Sequence, residues 1–142
     1  MRCLGLDLGS KTLGIAISDR TNFIASVYTT IFFKDENYQS LIEPLREIIL
    51  KEDVGTLVLG LPKNMNNTMG ERCETTINFQ KKLIDTFNIE VVLQDERLTT
   101  VQATNYMLEA DISRKKRKKK IDSLAANIIL QTYLDREKGG KL

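Results

Sequence analysis

At 142 residues, 28% of them charged and 42% hydrophobic, the chain is long enough for one domain with a real core and has an ordinary globular composition. It contains no histidine, which excludes Ser-His-Asp and Cys-His nucleophile systems, HExxH zinc sites and imidazole bases together. The net charge of +2 hides an asymmetry: the run RKKRKKK at 114–120 holds seven of the 21 basic residues, and the other 14 stand against 19 acidic ones, a net of −5.

The first 19 residues, MRCLGLDLGSKTLGIAISD, read as two strands joined by a tight turn. Leu4, Leu6 and Leu8 share one face at period two, and Cys3, Gly5, Asp7 and Gly9 share the other. An ionised carboxylate in an apolar strand is costly to bury unless something positive meets it. The glycines beside Asp7 leave room for a cation or a phosphate to approach. As an ordinary residue, Asp7 would be a solvated acid at a strand end.

Residues 23–33 (FIASVYTTIFF) read as a third strand, and short connections favour an antiparallel meander. A helical stripe follows at Tyr38, Leu41, Ile42, Leu45, Ile48 and Ile49, with Ser40 and Glu43 spaced as a capping box and Pro44 near the first turn. Residues 54–61 (VGTLVLGL) form the unbroken apolar run of a strand buried on both faces. A polar loop, GLPKNMNNTMG at 60–70, leaves it as a candidate substrate-facing flap. A helix over 71–87 is expected next, with Ile77, Phe79, Leu83, Ile84 and Phe87 toward the core. Residues 89–93 (IEVVL) are a fifth strand running into Asp95, Glu96 and Arg97. Thr99 and Gln102 cap a further helix to about Ala110. The basic run is then expected as a loop, before a well-buried helix that starts near Asp122.

These elements give an α/β fold: a mixed five-stranded sheet, three strands antiparallel plus two parallel, with helices on both faces. Residues 1–138 are expected to form a single domain, with 139–142 a flexible tail and 135–142 (DREKGGKL) prone to fray. No apolar run approaches the roughly 20 residues that span a bilayer, and the start of the chain reaches Asp7 too early for a signal peptide. Cys3 and Cys73 fit no motif. A cytoplasmic location with reduced thiols follows as the expectation.

Ligand sites gather at the carboxyl ends of parallel strands. Asp7, Glu96 (or Asp95 in its place) and Asp122 are the acids this topology brings there. Taken alone, Asp122 is a helix N-cap and Asp95 and Glu96 are surface acids. Held together, each carboxylate pair costs on the order of 3 kcal/mol at about 5 Å and an effective dielectric near 20. Divalent Mg²⁺ or Mn²⁺, hard ions suited to oxygen ligands, would offset that cost. Two such metals about 4 Å apart activate water and steady the leaving oxygen in phosphodiester cleavage. The basic residues Arg114, Lys115, Lys116, Arg117, Lys118, Lys119 and Lys120 would present a phosphate backbone beside that site, with Lys11, Lys63 and Arg97 adding contacts. Each of these is otherwise an ordinary solvated side chain, and the basic run a solvated loop or a nuclear-import signal.

GLDLGSKTLGIAISD, GLPKNMNNTMG, DERLTTVQA and KKIDSLAA, in this order and spacing, resemble the successive motifs of the YqgF/RuvX family. The resemblance spans Met1 to about Tyr133. It implies an RNase H-like fold, divalent-metal dependence, Asp7, Glu96 and Asp122 as the acidic triad, and nuclease activity. The substrate it implies is the 5′ end of precursor 16S ribosomal RNA in ribosome biogenesis, or alternatively a Holliday junction in branched DNA. The loop carries Asn66 and Asn67 where the family usually has a glycine, which bears only on loop shape because Asn tolerates left-handed backbone. Two rival classes remain. DLGSKTLG is similar to the phosphate loop of sugar kinases and actin-like ATPases, which close two such lobes around ATP. A non-catalytic RNA-binding module would keep the fold and the basic run without cleavage.

Overall fold

The computed structural model describes residues 1–61, 71–95 and 114–139, with side chains over 1–61, 73–94 and 124–137. Strands β1 (Arg2–Leu8), β2 (Thr12–Ser18) and β3 (Ala25–Phe32) form the expected antiparallel meander, because each connection is too short for anything but a hairpin. A 3-10 turn (Tyr38–Leu41) leads into α1 (Ile42–Glu52), then β4 (Val54–Leu61), α2 (Glu71–Phe87), β5 (Glu90–Asp95) and α3 (Arg114–Gly139). The sheet order is β3-β2-β1-β4-β5, with β4 parallel to β1 and β5 parallel to β4. The two parallel additions place β1 at the centre.

Period-two alternation divides the core. Leu4, Leu6, Leu13, Ile15, Leu57 and Leu59 pack against α1 and α2 through Leu41, Leu45, Phe79 and Leu83. On the other face Cys3, Ala16, Ala25 and Val58 pack against Ala126, Ile129, Leu130 and Leu134 of α3. The small residues on that second face let the helix lie close. A Cβ placed on Gly5 would fall 2.6 Å from the Ala126 carbonyl oxygen and 2.7 Å from the Leu130 Cβ. Both cysteines are buried, and among the described residues neither forms a disulfide.

The β2–β3 connection is held by Asp19, whose carboxylate accepts the Phe23 amide at 2.8 Å, the Ile24 amide at 3.1 Å and the Thr21 hydroxyl. The Thr21 hydroxyl first, then the Ile24 and Phe23 amides, hold this carboxyl down at about 2, against an ordinary 3.8. Ser18 accepts the Cys3 amide at 2.8 Å and donates to Asn22 Oδ1 at 2.6 Å, tying the same turn to the start of β1.

Several expectations need correction. Ser40 and Glu43 do not form a capping box: the Ser40 hydroxyl donates to the Asn37 carbonyl at 2.7 Å, and α1 begins with no side-chain cap. Pro44 sits in the first turn of α1, where its missing donor costs nothing. Ile84, expected in the core, is exposed. The basic run is helix, not loop. Lys and Arg are good helix formers, and Arg114–Gly139 is one continuous helix. Asp122 therefore lies inside α3 and is no N-cap, and α3 continues through Gly139, into the stretch expected to fray. The expected helix from Thr99 to Ala110 and the flap at 62–70 fall outside the described residues. Among the described residues no helix is long and apolar enough to cross a membrane.

Candidate active site at the carboxyl edge of the central strand

Asp7 is half-buried near the end of β1, on the face that carries α3. The pairing registers place glycines around it. Gly14 of β2 is its direct partner. One step past the Leu6–Leu59 pair brings Gly60 of β4 level with it on the other side. Gly5 and Gly9 precede and follow it on the same face of β1. All four neighbours of this carboxylate on its own face thus lack a Cβ, so no side chain from an adjacent strand position crowds it, while α3 closes over Gly5. Gly5 and Gly9 were legible from the sequence alone. Gly14 and Gly60 were not, because only the strand registers bring them alongside.

The direction of α3 follows from two contacts. Its Ala126 carbonyl lies over Gly5, while Gln131 accepts the Ala25 amide at 2.8 Å and donates to the Phe23 carbonyl at 3.0 Å. Ala25 pairs with Ser18, which bonds the Cys3 amide, so Gln131 sits at the start of β1. The helix therefore runs antiparallel to β1. About 18 Å of α3 precedes Ala126, while only about 10 Å of β1 follows Gly5, so about the first turn and a half of the helix projects past the sheet edge. That overhang begins at Arg114 and holds most of the basic run at 114–120. Asp122 lies one turn ahead of Ala126 and so approaches the end of β1 that carries Asp7.

The other predicted site residues fall as follows. Lys11 is exposed in the β1–β2 turn at the same edge. Asp95 is the last residue of β5, whose end reaches that edge beside β4. Lys63, Glu96 and Arg97 lie outside the described residues, as do the side chains at 114–123. Asp7 is thus the one triad member whose side chain is described, and among the described residues no three acidic, cysteine or histidine side chains cluster.

Gln94 of β5 pairs with Gly60, in the same row as Asp7 and on the same face. It is only 6% exposed, and its Oε1 has no hydrogen-bond partner among the described residues. A buried amide oxygen without a partner is costly, and sequence reasoning missed this residue. Its only signal was an uncharged polar side chain directly after the apolar run at 91–93.

Comparison with known proteins bears on what this edge does. A Streptococcus uberis protein named "Putative pre-16S rRNA nuclease" is 54% identical over 137 residues, covering 96% of this chain and 99% of that one. Among solved structures, Thermus thermophilus RuvC in complex with a Holliday junction substrate matches with a TM-score of 0.62 at 12% identity, covering 98% of this chain and 96% of that chain. The fowlpox virus resolvase bound to Holliday junction DNA matches with a TM-score of 0.56 at 15% identity, covering 96% and 98%. These structures share the fold: the RNase H-like mixed sheet with helices on both faces. With a family model described as "RuvX: Holliday junction resolvase" matching residues 1–136, this chain belongs to the RuvX family of nucleases.

Proposed function

We propose that the chain hydrolyses phosphodiester bonds at the Asp7 edge in a divalent-metal-dependent reaction, with Asp7, Glu96 and Asp122 as the acidic ligands. The observation that carries this is the glycine frame around Asp7: a half-buried carboxylate, central in the sheet, with no side chain at any of the four adjacent positions on its face. The donor chemistry fits Mg²⁺ or Mn²⁺, because carboxylate oxygens are what such ions take and a chain without histidine offers no imidazole. When bound, the metal supplies Lewis acidity to the phosphoryl group and a more acidic water. The protein's own part is to hold and orient. Asp7, Glu96 and Asp122 would hold the ion, with Asp122 carried by α3, and residues 114–120 with Lys11 would hold the phosphate backbone at the sheet edge.

The substrate proposed first is precursor 16S ribosomal RNA at its 5′ end, in the cytoplasm, because relatives more than 50% identical over nearly their full length are named as pre-16S rRNA nucleases. The second is a four-way DNA junction, favoured by the family description and by the junction-bound structures that share the fold. A cleavage assay with Mg²⁺ or Mn²⁺ on both substrates side by side separates them. Cleavage of neither, with binding intact, would leave a non-catalytic nucleic-acid binder.

A further inference from the structure

A cavity of about 270 Å³ opens on the α1–α2 face of the sheet, lined by Tyr38, Thr75, Asn78, Phe79 and Lys82. Four of these follow at intervals of three and four along α2, so they form one stripe of that helix. Tyr38 forms the facing wall. Its ring centroid lies 5.7 Å from Phe33 and 6.1 Å from Phe79, tilted in both pairs, so the tyrosine is held in a three-ring cluster. Asn78 is exposed and Lys82 half-buried, and among the described residues neither side chain enters a hydrogen bond or an ion pair.

The cavity therefore presents an aromatic wall, an amide able both to donate and to accept, and an ammonium group. Inorganic phosphate would use only the lysine. An aliphatic ligand would leave the amide and the lysine unused. A flat heteroaromatic ring with a hydrogen-bonding edge and an attached phosphate uses all three, as bases do when they stack on aromatic side chains. The volume lies just below the roughly 300–1,000 Å³ of drug-sized sites, the scale of one base.

Its place in the fold says where that base would come from. The Glu36 amide donates to the Ser10 carbonyl at 3.0 Å and the Phe33 amide to the Lys11 carbonyl at 2.9 Å. The segment carrying Tyr38 is thus stitched to the turn that begins two residues after Asp7. By chain path Tyr38 is no more than about 25 Å from Asp7, around the same sheet edge but on the opposite face. A strand leaving the Asp7 site would cross the exposed Lys11 to reach it.

We propose that this cavity is a nucleobase subsite that takes one unpaired base from a single-stranded extension of the substrate. It rests on the reading that the Asp7 edge holds nucleic acid. The test titrates AMP, UMP and inorganic phosphate separately into the isotope-labelled full chain, following the Asn78 side-chain amide and the Tyr38 ring by NMR. Both nucleotides should shift both signals saturably and phosphate should not, and Asn78→Ala and Lys82→Gln should each weaken the response about fivefold or more. In a second arm, the Asp7→Asn protein binds a four-way junction with and without a short single-stranded extension. The extension should tighten binding several-fold, and the two cavity substitutions should remove that gain while leaving the plain junction unaffected. Nucleotides that leave Tyr38 and Asn78 unmoved, or phosphate that moves them equally, would overturn the subsite. Failure of every form to bind the plain junction or ribosomal precursor would instead sink the nuclease reading, and the nucleotide titration would still report on the cavity.

Discussion

Gly5 of β1 and Ala126 of α3 approach so closely that the helix backbone fills the space where any side chain would begin. The obstructing atom is a carbonyl oxygen, which cannot rotate away as a flexible side chain would. Gly5→Ala must therefore push α3 off the sheet. The expected cost is about 1–3 kcal/mol, the usual range for an overfilled core, read as a lower urea midpoint with an unchanged slope. Because α3 carries Asp122, activity should fall further than the reduced stability explains.

Asp7→Asn keeps the size of the side chain and removes its charge. Cleavage of either candidate substrate should drop by about a thousandfold or more, equivalent to about 4 kcal/mol of transition-state stabilisation, while the thermal midpoint and nucleic-acid affinity hold. Normal cleavage by this variant would move the active site elsewhere.

Replacing the charges at 114–120 with Gln should weaken binding to every substrate alike and spare the fold, since Gln is also a good helix former. The slope of log affinity against log salt should flatten by about 0.9 for each duplex phosphate that the helix no longer neutralises. Fluorescence anisotropy across a salt series gives both quantities.

Asp19 predicts a pH dependence. Its folded pKa, at about 2, lies below the ordinary 3.8 because the Thr21 hydroxyl and the Ile24 and Phe23 amides bond the ionised form. The native state therefore binds fewer protons than the unfolded chain between those values. Its contribution is complete above about pH 4 and is lost as pH falls toward 2. Asp19→Asn should flatten the acid limb of the stability profile over that interval, and an NMR titration of the Asp19 carboxyl should show the depressed midpoint directly.

What the sequence disclosed depended on the range of the interaction. The strands were legible because alternation is local: Leu4, Leu6 and Leu8 mark one face and Gly5 and Asp7 the other without reference to anything distant. Helix α2 was legible for the same reason, from its apolar stripe. The start of α3 was not, because the basic residues at 114–120 carry no apolar period, and charge density read as solvation hid their good helix propensity. Ser40 and Glu43 had the spacing of a cap, but the 3-10 turn at Tyr38–Leu41 sends the serine hydroxyl to Asn37 instead. At the site, Asp7 was found from its own strand, whereas Gly14, Gly60 and Gln94 join it only through registers between strands.

The hydrogen bond between Gln131 and Ala25 joins residues 106 positions apart. Since the ribosome makes the chain from its N-terminus, the apolar patch of Cys3, Ala16, Ala25 and Val58 stays uncovered until the segment that becomes α3 has emerged. Nascent chains stalled before that point would expose this greasy surface and be prey for chaperones and proteases. Native structure is thus sealed by a segment translated only after every strand of the sheet.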